Sequence, residues 1–343
     1  MLTTFSKVLL TSVAIFTAHV SPSEAVQKEN AAFTIPLTRS IDGLYAFDIS
    51  INDSTTIPVI LDTAASMSAV RKSTFSQLKL ERHVANRMVH GLIGSELSDT
   101  VVMEALSAGP LNFAGHVLIL DNSDSIADPS VQGLIGTDFL MSATEDQRYL
   151  MINFLDSELS LGNRLSHFDF DNNIDQLRWS KLTNFGDNMR LLTVPVKVSG
   201  VRATAILDTG INFTVINTTL AKKLEKRGRT LKTATFSDVN GEETTMHHVN
   251  LGKVKTSNLT WNPSRALIFD APALEHINLT QSPSILIGLN LLNDMAIIVD
   301  RKTEKMAFVT KYWLEQDAND CTGSRIKCVG VMSSTYKTPG GAN

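Results

Sequence analysis

The run Val59-Ile60-Leu61-Asp62-Thr63-Ala64-Ala65-Ser66-Met67-Ser68-Ala69-Val70 lines up without a gap on Ala205-Ile206-Leu207-Asp208-Thr209-Gly210-Ile211-Asn212-Phe213-Thr214-Val215-Ile216. Each copy is an apolar strand that ends in Asp-Thr and a small residue. Working outward, the upstream sequence repeats as well. Tyr45–Ile51 turns through Asn52-Asp53-Ser54 into Ile57–Leu61, and Leu192–Val198 turns through Ser199-Gly200 into Val201–Leu207. Both stretches alternate as strands do around turn residues. Short helical candidates follow at Lys72–Leu80 and Thr218–Arg227. Further on, Gly133-Leu134-Ile135-Gly136-Thr137-Asp138-Phe139-Leu140 matches Ile285-Leu286-Ile287-Gly288-Leu289-Asn290-Leu291-Leu292. The interval from the Asp to the second motif's Gly is 74 residues in one copy and 80 in the other. A strand pair closes each copy, Tyr149–Phe154 with Glu158–Leu161 and Met295–Val299 with Lys305–Val309. Matched elements in one order make an internal duplication. The expectation is an all-β chain, with short helices, of two lobes at 32–163 and 188–312, joined by a polar, Asn/Asp-rich connector at 164–187.

The Asp-Thr-small motif carries a definite chemistry. A small third residue permits a tight turn and lets a facing loop come close, and a threonine hydroxyl can bridge to that loop's backbone. Two such loops placed face to face bring two carboxyls together. Like charges at that range cannot both ionise, so the pair shares one proton and one pKa rises. The ionised carboxylate can take a proton from a water while the protonated carboxyl polarises a carbonyl, which is hydrolysis by general acid–base catalysis without metal or covalent intermediate.

At these residues the chain resembles the aspartic protease clan: each lobe is similar to a retropepsin, and the fused pair is similar to pepsin. The resemblance rests on Leu61-Asp62-Thr63-Ala64-Ala65-Ser66 and Leu207-Asp208-Thr209-Gly210, each with its later Leu134-Ile135-Gly136 or Leu286-Ile287-Gly288. It implies a two-lobed fold of closed-barrel-like units, Asp62 and Asp208 as a catalytic dyad, and Thr63 and Thr209 as an interlock, with Ala64 and Gly210 beside them. It also implies that the strands at Gly136 and Gly288 pass beneath the Asp loops. Flap hairpins that close over a bound peptide are implied at His90, Gly91, Leu92 and Ile93 and, in the second copy, at Asn240-Gly241, a good two-residue hairpin turn. Neither flap carries a pepsin-type tyrosine, as in retropepsins. Three departures stand out: Ala64 replaces a glycine, Ile211-Asn212 replace small or hydroxyl residues, and Asn290 stands where the first copy has Asp138. Ile211 and Asn212 motivate a rival expectation, a secreted pseudo-protease that binds peptides or proteins in the cleft without cutting them.

The rest of the sequence narrows the setting. With 343 residues, 43% hydrophobic and 19% charged, the chain can bury a large core, and a formal charge of −4 gives no basic footprint for nucleic acid. Met1–Ala25 reads as a signal peptide: Lys7, an apolar Val8–Ala18, then Ser23-Glu24-Ala25 at a cleavage position. That apolar stretch is too short to span a bilayer, and no later run is longer, so the expectation is an exported product, periplasmic or secreted, and monomeric through intramolecular pairing of its lobes. Cys321 and Cys328 are the only cysteines and sit close together in the tail at 313–343, where a small disulfide loop is expected. No cofactor or metal is expected. His247-His248 point to opposite faces of a strand and share an ion poorly. No Gly-x-Ser-x-Gly elbow or phosphate loop is present. Asn212 carries a glycosylation sequon but lies close to Asp208, and Lys222-Lys223 with Glu225-Lys226-Arg227 reads as a solvated helix face.

Overall fold

In the computed structural model the described residues are 32–78, 82–91, 94–120, 126, 128–142, 147–168, 177–185, 189–237, 243–256, 259–261 and 265–310. The expected signal peptide, Leu92, Ile93, Asn240, Gly241 and both cysteines of the expected disulfide lie outside them.

The predicted hairpins form with their registers fixed by alternation. Tyr45–Ile51 pairs antiparallel with Thr55–Leu61, and Thr193–Val198 with Val201–Leu207. Along Thr55–Leu61 the alternation gives way to continuous burial at Val59–Leu61. There the strand lies between two neighbours, Tyr45–Ile51 and the parallel Gly133–Ile135, and strands inside a covered sheet need apolar residues on both faces. Val201–Leu207 repeats this beside Ser284–Ile287. The helices are one or two turns long, Lys72–Leu78 and Thr218–Glu225 among them, and the second ends two residues before the sequence expectation.

The two lobes share one strand order. In the first it runs Tyr45–Ile51, Thr55–Leu61, Gly133–Ile135, Ala69–Arg71, Leu111–Leu120, Ser95–Ala108, Arg82–His90. The second follows the same path through Thr193–Val198, Val201–Leu207, Ser284–Ile287, Thr214–Ile216, Arg265–Ile268, Glu243–Asn250 and Leu231–Ser237. They differ where the sheet curls closed. The first lobe bends one long strand, Ser95–Ala108, through a register shift between Met103 and Leu106, so that its end pairs with Tyr45–Ile51. In the second the path breaks after Asn250, and a separate strand, Val254–Lys255, makes the matching pairing with Thr193–Val198.

A six-stranded antiparallel sheet joins the lobes, in the order Phe33–Pro36, Glu158–Gly162, Tyr149–Asn153, Met295–Asp300, Lys305–Thr310, Ser180–Lys181. Its two central strands, one from each lobe, pair from Tyr149↔Asp300 to Asn153↔Ala296 and are buried throughout. The connector is more than a polar linker. Phe168 and Leu177 are buried against the outer face of this sheet, and Ser180–Lys181 forms its last strand.

Candidate active site

Both Asp-Thr loops sit at the carboxyl end of a central strand, and they meet across the lobe interface. Thr63 Oγ1 donates to Leu207 O at 2.7 Å, and Thr209 Oγ1 donates to Leu61 O at 2.5 Å. Each hydroxyl also accepts the other threonine's backbone N–H, at 3.0 Å from Thr63 N and 3.2 Å from Thr209 N. Both threonines are fully buried. The four bonds pair the backbone groups Thr63 N, Thr209 N, Leu61 O and Leu207 O, as burial demands.

The carboxyls lie together above this interlock. Asp62 Oδ1 accepts N–H groups from Ala64 at 2.9 Å and Ala65 at 3.0 Å, whereas Asp208 Oδ1 accepts from Gly210 at 2.9 Å. Gly210 faces the Asp62 carboxyl so closely that a Cβ there would lie 2.7 Å from both its Cγ and Oδ2. Burial raises the Asp62 pKa, with the two N–H groups pulling the other way. Asp208 is raised well above the usual carboxylate range, by burial first and then by the negative charge of Asp62. Asp62 accepts two N–H groups and Asp208 one, so the hydrogen bonds favour the charge on Asp62. Ala64 packs with a small apolar cluster that includes Ile206, Val215 and Ile211.

The glycine strands pass under the loops as expected. Asp62 N donates to Ile135 O and Asp208 N to Ile287 O, while a side chain on Gly136 would press into Ala65 O and Met67, and one on Gly288 into the Phe213 carbonyl. Asp138 clamps the first loop by accepting from Ser68 N at 2.8 Å and Ser68 Oγ at 2.7 Å. Asn290 does the corresponding work in the second lobe, accepting from Thr214 Oγ1 at 2.8 Å. The departure at Asn290 thus keeps the hydroxyl bond to its loop and drops the charge. Ile211 likewise keeps its loop bond, its carbonyl accepting Leu289 N at 2.9 Å as Ala65 O accepts Thr137 N.

Of the first flap, His90 and Gly91 are described and reach the opposite lobe. Gly91 O accepts from Ala273 N at 3.3 Å, and the His90 ring stacks on His276 at 4.2 Å between centroids, 19° from parallel. Both partners belong to the helix Pro272–His276. His90 Nδ1 is also 2.8 Å from Ser95 Oγ across the hairpin. Exposed Met88 and Leu97 form a cross-strand pair on this flap. In the second lobe, Leu231–Ser237 and Glu243–Asn250 form the corresponding hairpin.

Residues 47–139 and 194–291 each match the family model for aspartyl proteases, together more than half of the chain. The chain belongs to the aspartyl protease family. No curated protein matches it. Each matched segment of this aspartyl protease runs from the first hairpin, through the Asp loop, to the helix after the glycine strand. Three contacts between the lobes were not legible in the sequence. Asn212 Nδ2 donates to Asp42 O at 2.5 Å, Arg39 Nη2 donates to Asn293 Oδ1 at 3.0 Å, and Ala273 meets the flap. All three join residues that no repeat or motif links. Among the described residues no cluster of His, Cys, Asp or Glu could hold a metal, and no helix is long and apolar enough to cross a membrane.

Proposed function

We propose that the protein is an exported aspartic endopeptidase in which Asp62 and Asp208 form the catalytic dyad. The observation that carries this reading is the pair of buried carboxyls held together over the Thr63–Thr209 interlock, with unequal donors that separate their protonation states. Asp62, ionised and held by two N–H groups, takes a proton from a water, whose oxygen attacks the peptide carbonyl carbon. Asp208 gives its proton to the carbonyl oxygen, so the intermediate is a neutral gem-diol. As the C–N bond breaks, the proton now on Asp62 passes to the leaving amine and a diol hydroxyl proton returns to Asp208. An extended substrate would add a strand against the flap.

Peptide hydrolysis by the purified protein tests the reading. Asp62→Asn and Asp208→Asn should each lower kcat by roughly 10²–10⁴-fold, and full activity in either overturns it. A non-catalytic peptide-binding role draws on one observation, the single backbone donor at Asp208 against two at Asp62. It predicts peptide binding with no cleavage at any pH and little affinity lost in either variant. Export rests on the leader sequence, and N-terminal sequencing of the mature protein tests it, with Val26 expected first.

A further inference from the structure

Charge is divided unevenly between the halves. Residues 32–163 hold 16 Asp and Glu against 7 Lys and Arg, while residues 188–312 hold 10 against 16, so the formal charges are −9 and +6. The excess in the second half gathers at one end of its lobe, around two adjoining shallow cavities of about 500 and about 820 Å³ that share Gly200 and Arg227. The helix Thr218–Glu225 delivers Lys223, Lys226 and Arg227 to the rim, so the run expected to be a plain solvated face is one wall of a larger basic surface. The sheet supplies the next row. Lys197 pairs across strands with Lys255 on one side and Arg202 on the other, so three cations stand in line on one face. No carboxylate lines either cavity, and none of these cations is ion-paired among the described residues.

Stability alone does not account for this placement. Like charges directly opposite on neighbouring strands are destabilising, as they are at i,i+4 on a helix, the spacing of Lys222 and the C-cap residue Lys226. The helix C-terminus offsets part of that cost for its own residues but none for the strand row. Two of the arginines are also set in place. Arg229 Nη2 donates to Ser199 Oγ at 2.9 Å, in space that any side chain on Gly252 (φ +69°) would fill, and Arg227 Nη1 lies over Gly200 (φ +82°) and reaches Ser199 O at 3.4 Å. Guanidinium groups held this way are prepared for bidentate capture of carboxylates at reduced entropic cost.

We propose that this basic end of the second lobe is a docking site for an acidic polypeptide segment, which would let the enzyme select substrates by a region remote from the bond it cuts. The cavities offer no aromatic side chain on which a nucleobase could stack and no exposed apolar side chain to enter a lipid surface. Polypeptide is also the polymer on which an aspartyl protease acts, and the acidic first half repels such a segment from elsewhere. The site stands at the far end of the strand Val201–Leu207 from Asp208, about 20 Å away at about 3.3 Å per residue. A segment bound there leaves the cleft free and raises the local concentration of the attached substrate. The selectivity part of the proposal rests on the endopeptidase reading; the binding part does not.

Fluorescence anisotropy on the full-length protein tests the binding, with a short labelled Asp/Glu-rich peptide and its Asn/Gln counterpart. The acidic peptide should bind, more weakly as salt rises, and the neutral one should not. Lys223→Glu with Lys226→Glu should weaken binding by about tenfold or more, and Lys197→Gln with Lys255→Gln should do so to a smaller degree from the other wall. Absence of binding, binding indifferent to both variants, or capture of inorganic polyphosphate or anionic vesicles in preference to the acidic peptide would overturn the proposal. With cleavage as the readout, the first variant should raise KM about tenfold for a substrate with an acidic tail, leaving kcat and the untailed substrate unchanged. A catalytically silent protein fails this second readout and passes the first, which separates failure of the dyad from failure of the docking site.

Discussion

The two lobes follow the same strand order, yet they are unequal wherever the fold leaves a choice. The first is acidic, closes its sheet with one continuous bent strand, and gives its aspartate two backbone donors. The second is basic, closes with a broken path, and gives its aspartate one. Where the chain must meet its own copy, at the threonine interlock and the six-stranded sheet, the halves are alike. The halves therefore have room to diverge outside the interface, and the proposed dyad would use that room to make one carboxyl an acid and the other a base.

Four tests sharpen or break this comparison. The largest effect should come from the shared part. Thr63→Val and Thr209→Val each remove one donor and one acceptor from a buried pair, and each should cost about 2–4 kcal/mol in chemical denaturation. The two values should agree, and a large inequality would show that the interlock is not symmetric. Next, Gly210→Ala drives a methyl into the Asp62 carboxyl and should lower kcat by roughly ten- to a hundredfold. Ala64→Gly, at the matching place, should leave kcat nearly unchanged; equal losses in both would remove the asymmetry.

A third test reads the proton on Asp208 through stability. A carboxyl whose folded pKa is raised binds its proton more tightly when folded, so its contribution is fully present below its unfolded value of 3.8 and lost as pH climbs through the folded value. Asp208→Asn should therefore raise Tm at neutral pH, by about 2–4 °C per kcal/mol relieved, with the gain vanishing toward pH 3. A constant gain across pH would place the proton elsewhere. The smallest effect is at the flap, where His276→Ala removes a ring stack of roughly 0.5–1 kcal/mol and should raise KM two- to fivefold with kcat held.

Much of this was legible beforehand because the duplication is written in contiguous residues. The strand–Asp–Thr runs, the glycine strands and the first hairpins all appear where the repeat puts them, within a residue or two. What stayed hidden depends on contact between distant segments. Asn290 looked like a lost carboxylate until Thr214 was seen to donate to it. Ile211 stands in place of a small residue, yet it packs against the cluster that contains Ile206 and Val215 while its carbonyl holds the loop. The connector looked like a linker because its polarity is visible along the chain, whereas the sheet that takes in Ser180–Lys181 comes from sequence far to either side.

The six-stranded sheet also sets the order in which the molecule can be completed. Tyr149–Asn153 pairs at once with Glu158–Gly162, but its other neighbour is Met295–Asp300, nearly half the chain later. Until that strand arrives, the first lobe carries an apolar edge with unpaired backbone groups, the kind of edge on which chains aggregate. Pairings this remote close slowly. A newly made chain is thus committed late, at Met295–Asp300, and shortening it before that strand should yield insoluble protein rather than a smaller working lobe.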